Sequence, residues 1–165
     1  MVSASLRFYD IVVFIHVIAV VTAFGVTFVY PLIFPLTQRR APDKLAWLHQ
    51  LQGDIGQKII TPSAAIVLLA GLYLALSGDV PYDLGDWWVG FGLLAVLVLL
   101  GLGGAFFAPR ERRLAELAER DMAAGKLSEE YEHLAVQVAR VGAASSLLVA
   151  VTVLFMVLGA RAVFT

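Results

Sequence analysis

The sequence predicts an all-α fold, a four-helix transmembrane bundle carrying a short amphipathic cytoplasmic helix and a long helical cytoplasmic connection between spans three and four. Three observations predict it. The 165 residues are 60% hydrophobic and only 15% charged, with a mean hydropathy of +0.84, far from the balance of a soluble domain. Four apolar segments reach or nearly reach the ~20 residues that a helix needs to cross the hydrocarbon layer. Basic residues collect in two of the three stretches between those segments, as the positive-inside rule requires.

The first span runs from about Tyr9 to Tyr30, within an apolar run from 11 to 34. That run exceeds the ~7–15 apolar residues of a cleaved secretory signal and predicts a retained span. The second starts at Ile59 or Thr61 and ends near Ser77. Thr61 can cap it, and Pro62 suits a first turn because the donor that proline lacks is orphaned there in any case. The third covers Trp87 to Ala108 and the fourth about Val141 to Val163. The whole chain, 1–165, reads as one integral membrane domain without an internal repeat.

Ten of the twelve basic residues orient these spans. Arg39, Arg40, Lys44 and Lys58 lie between spans one and two; Arg110, Arg112, Arg113, Arg120, Lys126 and Arg140 lie in or beside the connection between spans three and four. The remaining connection, GDVPYDLGD, has three aspartates and no base. Both termini and this acidic loop are therefore expected outside a bacterial-type plasma membrane. Trp87, Trp88, Tyr9, Tyr82 and Phe164 fall at the depth of an outer aromatic belt.

Both cytoplasmic connections read as helical. In PDKLAWLHQLQGDIGQK, Leu45, Leu48, Leu51 and Ile55 recur at roughly helical spacing, with Asp43 early and Lys58 late to suit the dipole. This predicts a short helix on the membrane surface or capping the bundle. PRERRLAELAERDMAAGKLSEEYEHLAVQVAR is rich in Ala, Leu, Glu and Arg; Gly125 breaks it, and Ser128 before Glu129 and Glu130 starts a new helix that runs uninterrupted into span four.

Within lipid, helices associate through small residues. Span one offers Ala19, Ala23 and Thr27 on the stripe of His16, span two offers Ala64, Ala65, Gly71 and Ala75, span three Gly90, Gly92, Gly101, Gly103 and Gly104, and span four Gly142, Ala143, Ser145 and Ser146. Close packing is the plain reading. A polar path or cavity using Thr22, Thr27, Ser63, Ser145, Ser146 and Thr152 is the alternative, without the central acidic residue that a proton or cation relay usually needs.

The formal net charge of −1 gives no basic field for nucleic acid, and the absence of cysteine excludes disulfides, thiolate nucleophiles and Cys-based metal sites. His16 is the ionisable residue inside an apolar span, roughly 9 Å below the outer interface at 1.5 Å per residue. A neutral ring there can donate to a hydroxyl or carbonyl on a neighbouring helix, or it can ligate haem or a metal. Met156 lies at the same depth on span four, where it is core filling or the second member of a His and Met pair for haem b or copper. A second copy could supply another His16 across a homodimer, whereas His49 and His133 lie on the cytoplasmic side, out of reach. Asp79, Asp83 and Asp86 do not follow the spacing of a calcium loop and read as a solvated acidic loop. Asp10 and Arg161 can pair if their helices are neighbours. No phosphate loop, partnered nucleophile or paired intramembrane carboxylate is present, so no catalytic residue is assigned.

HVIAVVTAFGVTFVYPL, TPSAAIVLLAGLYLALSGD, and DWWVGFGLL followed by PRERRL together resemble the predicted integral membrane proteins of domain of unknown function family 2269. More distantly, His16, Gly25, Tyr30 and Pro31 in a first span are similar to the HemJ-type protoporphyrinogen oxidases and the copper-resistance D membrane domains. That likeness implies haem contact for His16. HemJ-type enzymes also rely on an intramembrane lysine, and every lysine here is cytoplasmic; the copper family offers more histidines. The expected function is a non-enzymatic accessory or interacting subunit in the lipid bilayer, with a protein partner on the charged cytoplasmic helices 110–139. A haem- or copper-binding redox protein using His16 and a small-solute transporter are the alternatives.

Overall fold

A computed structural model describes residues 7–78 and 83–163, and the described regular structure is entirely helical. Asp79, Tyr82 and Phe164 lie outside the described residues. Seven α-helices are present: α1 (Phe8–Phe24), α2 (Tyr30–Arg40), α3 (Leu45–Ile55), α4 (Thr61–Leu76), α5 (Trp87–Gly101), α6 (Ala108–Ala123) and α7 (Glu129–Val163). Short 3-10 or π turns join several of them end to end, giving four long helical rods, Phe8–Arg40, Pro42–Leu76, Trp87–Ala123 and Glu129–Gly159. Each is long and apolar enough to cross a membrane. The rods have a basic end, around Arg39, Lys58 and Arg110, and an acidic end, around Asp10, Asp83 and Asp86.

Helix α1 packs on α4, α4 on α5 and α5 on α7, while α3 and α6 pack together at the basic end. Small residues set the central layer: Ala19 and Ala23 of α1 meet Ala64 and Val67 of α4, Val96 of α5 and Val149 of α7. Phe14, Val21, Leu69, Leu94, Leu147 and Val157 remain exposed on the rods. Apolar surface on that scale on a monomer has to be covered by something other than water. The basic end has its own core, where Leu45 of α3 packs with Leu114, Leu117 and Ala118 of α6 and Tyr131 and Val138 of α7.

The predicted cytoplasmic helix is α3, and it caps the bundle instead of standing free: Leu45 and Leu48 are buried, Leu51 is exposed. Ser128 starts α7 as expected, accepting from the Tyr131 amide at 3.3 Å, and α7 continues for 35 residues. Gly125 closes the preceding turn with φ +80°, a conformation that L side chains rarely adopt.

Two expectations are corrected. Thr61 does not cap span two, because the chain is already helical before it; its amide and hydroxyl both point back to the Gly56 carbonyl, the hydroxyl at 2.9 Å. The aromatic belt is also thinner than expected. Trp87 is exposed, but Tyr9 and Trp88 turn inward, Tyr9 onto Val12, Ala70 and Leu74 and Trp88 onto Ala75 and Val89. Asp10 is engaged by Arg7, whose amide donates at 3.0 Å.

Three rods change helical type just before a proline. A 3-10 turn at Gly25–Phe28 precedes Pro31, a π turn at Gly56–Ile60 precedes Pro62, and a π turn at Leu102–Phe107 precedes Pro109. A proline inside a helix cannot donate to the carbonyl four residues back and its ring crowds that carbonyl, so the preceding turn tightens or widens to accommodate it. All three departures fall at one level, between the membrane-length segments and the basic-end helices.

Candidate functional site

At that level the bundle opens into a cavity of about 1050 Å³. The irregular turns contribute to its wall: Thr27, Gly56 and Ile60, Gly103 and Gly104 all line it. Across from them α7 presents Gly142, Ala143 and Ser145. A β-carbon placed on Gly103, Gly104 or Gly142 would meet nothing within 4 Å. Small residues thus do different work at the two ends. Toward the acidic end they let helices touch; toward the basic end they leave room.

Most of the cavity wall is apolar, with Phe24, Ala64, Leu99, Leu100 and Val149 at the far end. Its basic-end wall holds a buried polar cluster. His49 of α3 sits between Glu111 of α6 and Tyr131 of α7, its Nδ1 2.7 Å from Glu111 Oε2 and its Nε2 2.9 Å from the Tyr131 hydroxyl. The His49 and Glu111 side chains are each only 3% exposed. Phe34 stacks on the imidazole at a 4.8 Å centroid distance and 32° tilt, and Tyr131 meets it edge-on at 5.8 Å. Burial and then the Glu111 carboxylate push the Tyr131 phenol up to about 12, which keeps its proton in place at neutral pH. With a neutral ring, Nδ1–H donates to Glu111 and Tyr131 O–H donates to Nε2, so one set of proton positions satisfies the whole chain of bonds.

One oxygen of this cluster is left over. Glu111 Oε1 is buried without a hydrogen-bond partner among the described residues, as are Gln52 Oε1, the Tyr30 hydroxyl and Ser145 Oγ, all on residues lining the same cavity. Leaving a buried polar group unsatisfied costs about 1–3 kcal/mol, and more for a charged one, so this wall of the cavity is the candidate site. A second cavity of about 110 Å³, lined by Gln50 and Asp54 as well, shares His49, Gly53, Gln57 and Arg112 with the first.

His16 and Met156 sit elsewhere. His16 lies in the α1–α4 seam, with Nδ1 3.1 Å from the Val67 carbonyl. A β-carbon on Gly71 would stand 3.1 Å from the ring, so the glycine is what lets the imidazole reach the α4 backbone. Met156 lies in the α5–α7 seam, its methyl filling the space over Gly92 beside Trp88 and Val89. The two are in different seams, and neither lines the cavity. Among the described residues no group of three or more His, Cys, Asp or Glu is placed to hold a metal ion.

The sequence does not reveal the cluster: it places His49 on the cytoplasmic side, out of reach of His16, and Glu111 is one charge among those of helices 110–139. The usable signal was position: His49 and Gln52 occupy the helical face of Leu45 and Leu48, which α3 buries against α6. Comparison with protein-family models, curated proteins and solved structures gives no match.

Proposed function

We propose that this chain is a non-enzymatic, multi-span protein of a bacterial-type plasma membrane whose basic-end cavity binds a small molecule with a large apolar body. One observation carries the reading: a cavity of about 1050 Å³ with apolar walls ends on a buried polar cluster whose Glu111 Oε1 has no partner among the described residues. Ligand sites combine these features, apolar walls with a few convergent polar groups. The chain would act as a ligand-dependent accessory subunit, with its basic end in the cytoplasm. Docking of a partner on helices 110–139 is the weaker form of that role, because the apolar face of α6 is already covered by α3 and α7. Arg113 and Glu130, 2.6 Å apart, also satisfy each other on its charged face.

A photoreactive alkyl diazirine incubated with the full chain in nanodiscs tests the reading. Adducts should map to peptides spanning 99–108 and 135–149, and saturable excess of an unlabelled alkyl compound should remove them. Labelling confined to the exposed rod faces, unaffected by competitor, contradicts it.

A second reading keeps His16 as a haem or copper ligand. It is favoured by the Val67 contact, since a ring donating from Nδ1 leaves Nε2 with its lone pair. Purified protein should then show a Soret band or bound copper that His16→Ala abolishes; their absence ends this reading without touching the first.

A further inference from the structure

We infer that the cavity takes a single-chain amphiphile whose head group donates hydrogen bonds, a hydroxyl or an ammonium, and that it enters sideways from the bilayer. The inference rests on the ligand-binding reading above and specifies its substrate class.

The head is specified by what the site lacks. Glu111 Oε1 and Gln52 Oε1 are acceptors, and both are buried and unpartnered among the described residues. His49 cannot satisfy Glu111 Oε1, because its Nδ1 is on Oε2 and its Nε2 is on Tyr131. An N–H or O–H head placed there completes the carboxylate. A carboxylate or phosphate head would bring lone pairs and negative charge against Glu111 in a poorly solvated site, where like charges are costly. Arg112 and Glu132 also line the cavity, but both are exposed, and their opposite charges offset one another.

The tail is specified by the wall. Beyond the polar cluster the lining is Phe24, Ala64, Leu99, Leu100 and Val149, belonging to the central layer of the bundle or packed against it. The way in follows from packing. Helix α2 leans on α3, while α7 packs on α5 and α6. Pro31 and Pro35 of the first rod, Thr61 of the second, Gly104 and Pro109 of the third and Ala139 of α7 are at once exposed and part of the cavity lining, so the cavity opens on the side of the bundle. It stands where the apolar rods give way to charged helix, the level at which an amphiphile in a bilayer holds its head.

Separate titrations of the full chain in nanodiscs with dodecylamine, dodecanol and dodecanoate, read by displacement of the photoreactive alkyl probe, test the inference. The amine and the alcohol should displace the probe at concentrations about tenfold or more below dodecanoate, the factor expected for a hydrogen bond to a charged group. Glu111→Leu should erase this preference while probe labelling persists. Gln52→Leu, which leaves the His49 cluster intact, should reduce it and covers the case in which the Glu111 variant does not fold. Gly142→Leu, which projects a side chain into the cavity, should weaken labelling by the probe. Equal displacement by all three compounds, with Gly142→Leu still weakening labelling, overturns the head-group inference and leaves the cavity reading standing. Labelling unaffected by Gly142→Leu overturns both. A preference between amine and alcohol identifies which donor the site takes.

Discussion

His49 is held by two hydrogen bonds and a stacked ring, with its side chain only 3% exposed. Removing one member of a buried pair leaves the other uncompensated, at a cost of about 3–5 kcal/mol, whereas replacing both with apolar residues is often close to neutral. His49→Leu should therefore lose about that much stability in detergent denaturation, and His49→Leu combined with Glu111→Leu should recover most of it. Additive losses would mean that the two do not act as a pair. A second contrast separates two glycines in the α5–α7 seam. A β-carbon on Gly159 would meet the Trp88 ring at 2.3 Å, a flat group fixed in the core; on Gly92 it would meet only the Met156 methyl, the far end of a flexible chain. Gly159→Ala should cost about 1–3 kcal/mol by overpacking, and Gly92→Ala clearly less, by the same denaturation measurement.

At the scale of elements, the prolines shape the cavity. The Thr61 amide reaches back five residues to the Gly56 carbonyl, and the Ala108 amide does the same to Gly103. Pro62→Ala with Pro109→Ala restores two donors and should let both π turns tighten toward α-helix, narrowing the cavity and weakening displacement of the alkyl probe; unchanged binding would show that the prolines do not set its shape. The α6–α7 turn is held differently. Asp121 accepts from the Ser128 hydroxyl and, at 2.8 Å, from the Ser128 amide, with Arg120 at 2.8 Å. The Ser128 hydroxyl first, then its amide and Arg120, hold the Asp121 carboxyl below its ordinary range against the opposing effect of burial. A depressed folded-state value means that the stabilisation is fully present above about pH 4 and is lost as pH falls through the lowered value. Amide exchange across 121–131 should accelerate in that acidic window, and Asp121→Asn should flatten the response. Exchange that does not change with pH would show that the turn does not depend on this carboxylate.

For the molecule as a whole, four apolar segments, the Gly125 break and the Ser128 start were legible because each depends on local composition or on a single residue's conformational preference. Helix α2 was not, since the apolar span reads as ending near Tyr30, whereas the chain stays helical through Pro31 and Pro35 to Arg40 and contacts α3. The polar cluster was least legible. It joins residues 62 and 82 positions apart; the apolar face of Leu45 and Leu48 points to the burial of His49, but its partners on α6 and α7 follow from tertiary packing that no local pattern encodes. The proposed orientation has its own test, made simple by a chain with no cysteine: in intact cells Leu84→Cys should react with a membrane-impermeant maleimide and Lys126→Cys should not, and the reverse would invert the topology. The central claim, that the basic-end cavity is an occupied binding site, is tested most directly by native mass spectrometry of the full chain released from mild detergent. The account predicts a discrete single adduct on the wild-type chain that disappears in Gly104→Leu and Gly142→Leu while both variants stay folded. An adduct that persists in both, or a wild-type chain that carries none even after incubation with dodecylamine or dodecanol, would contradict it.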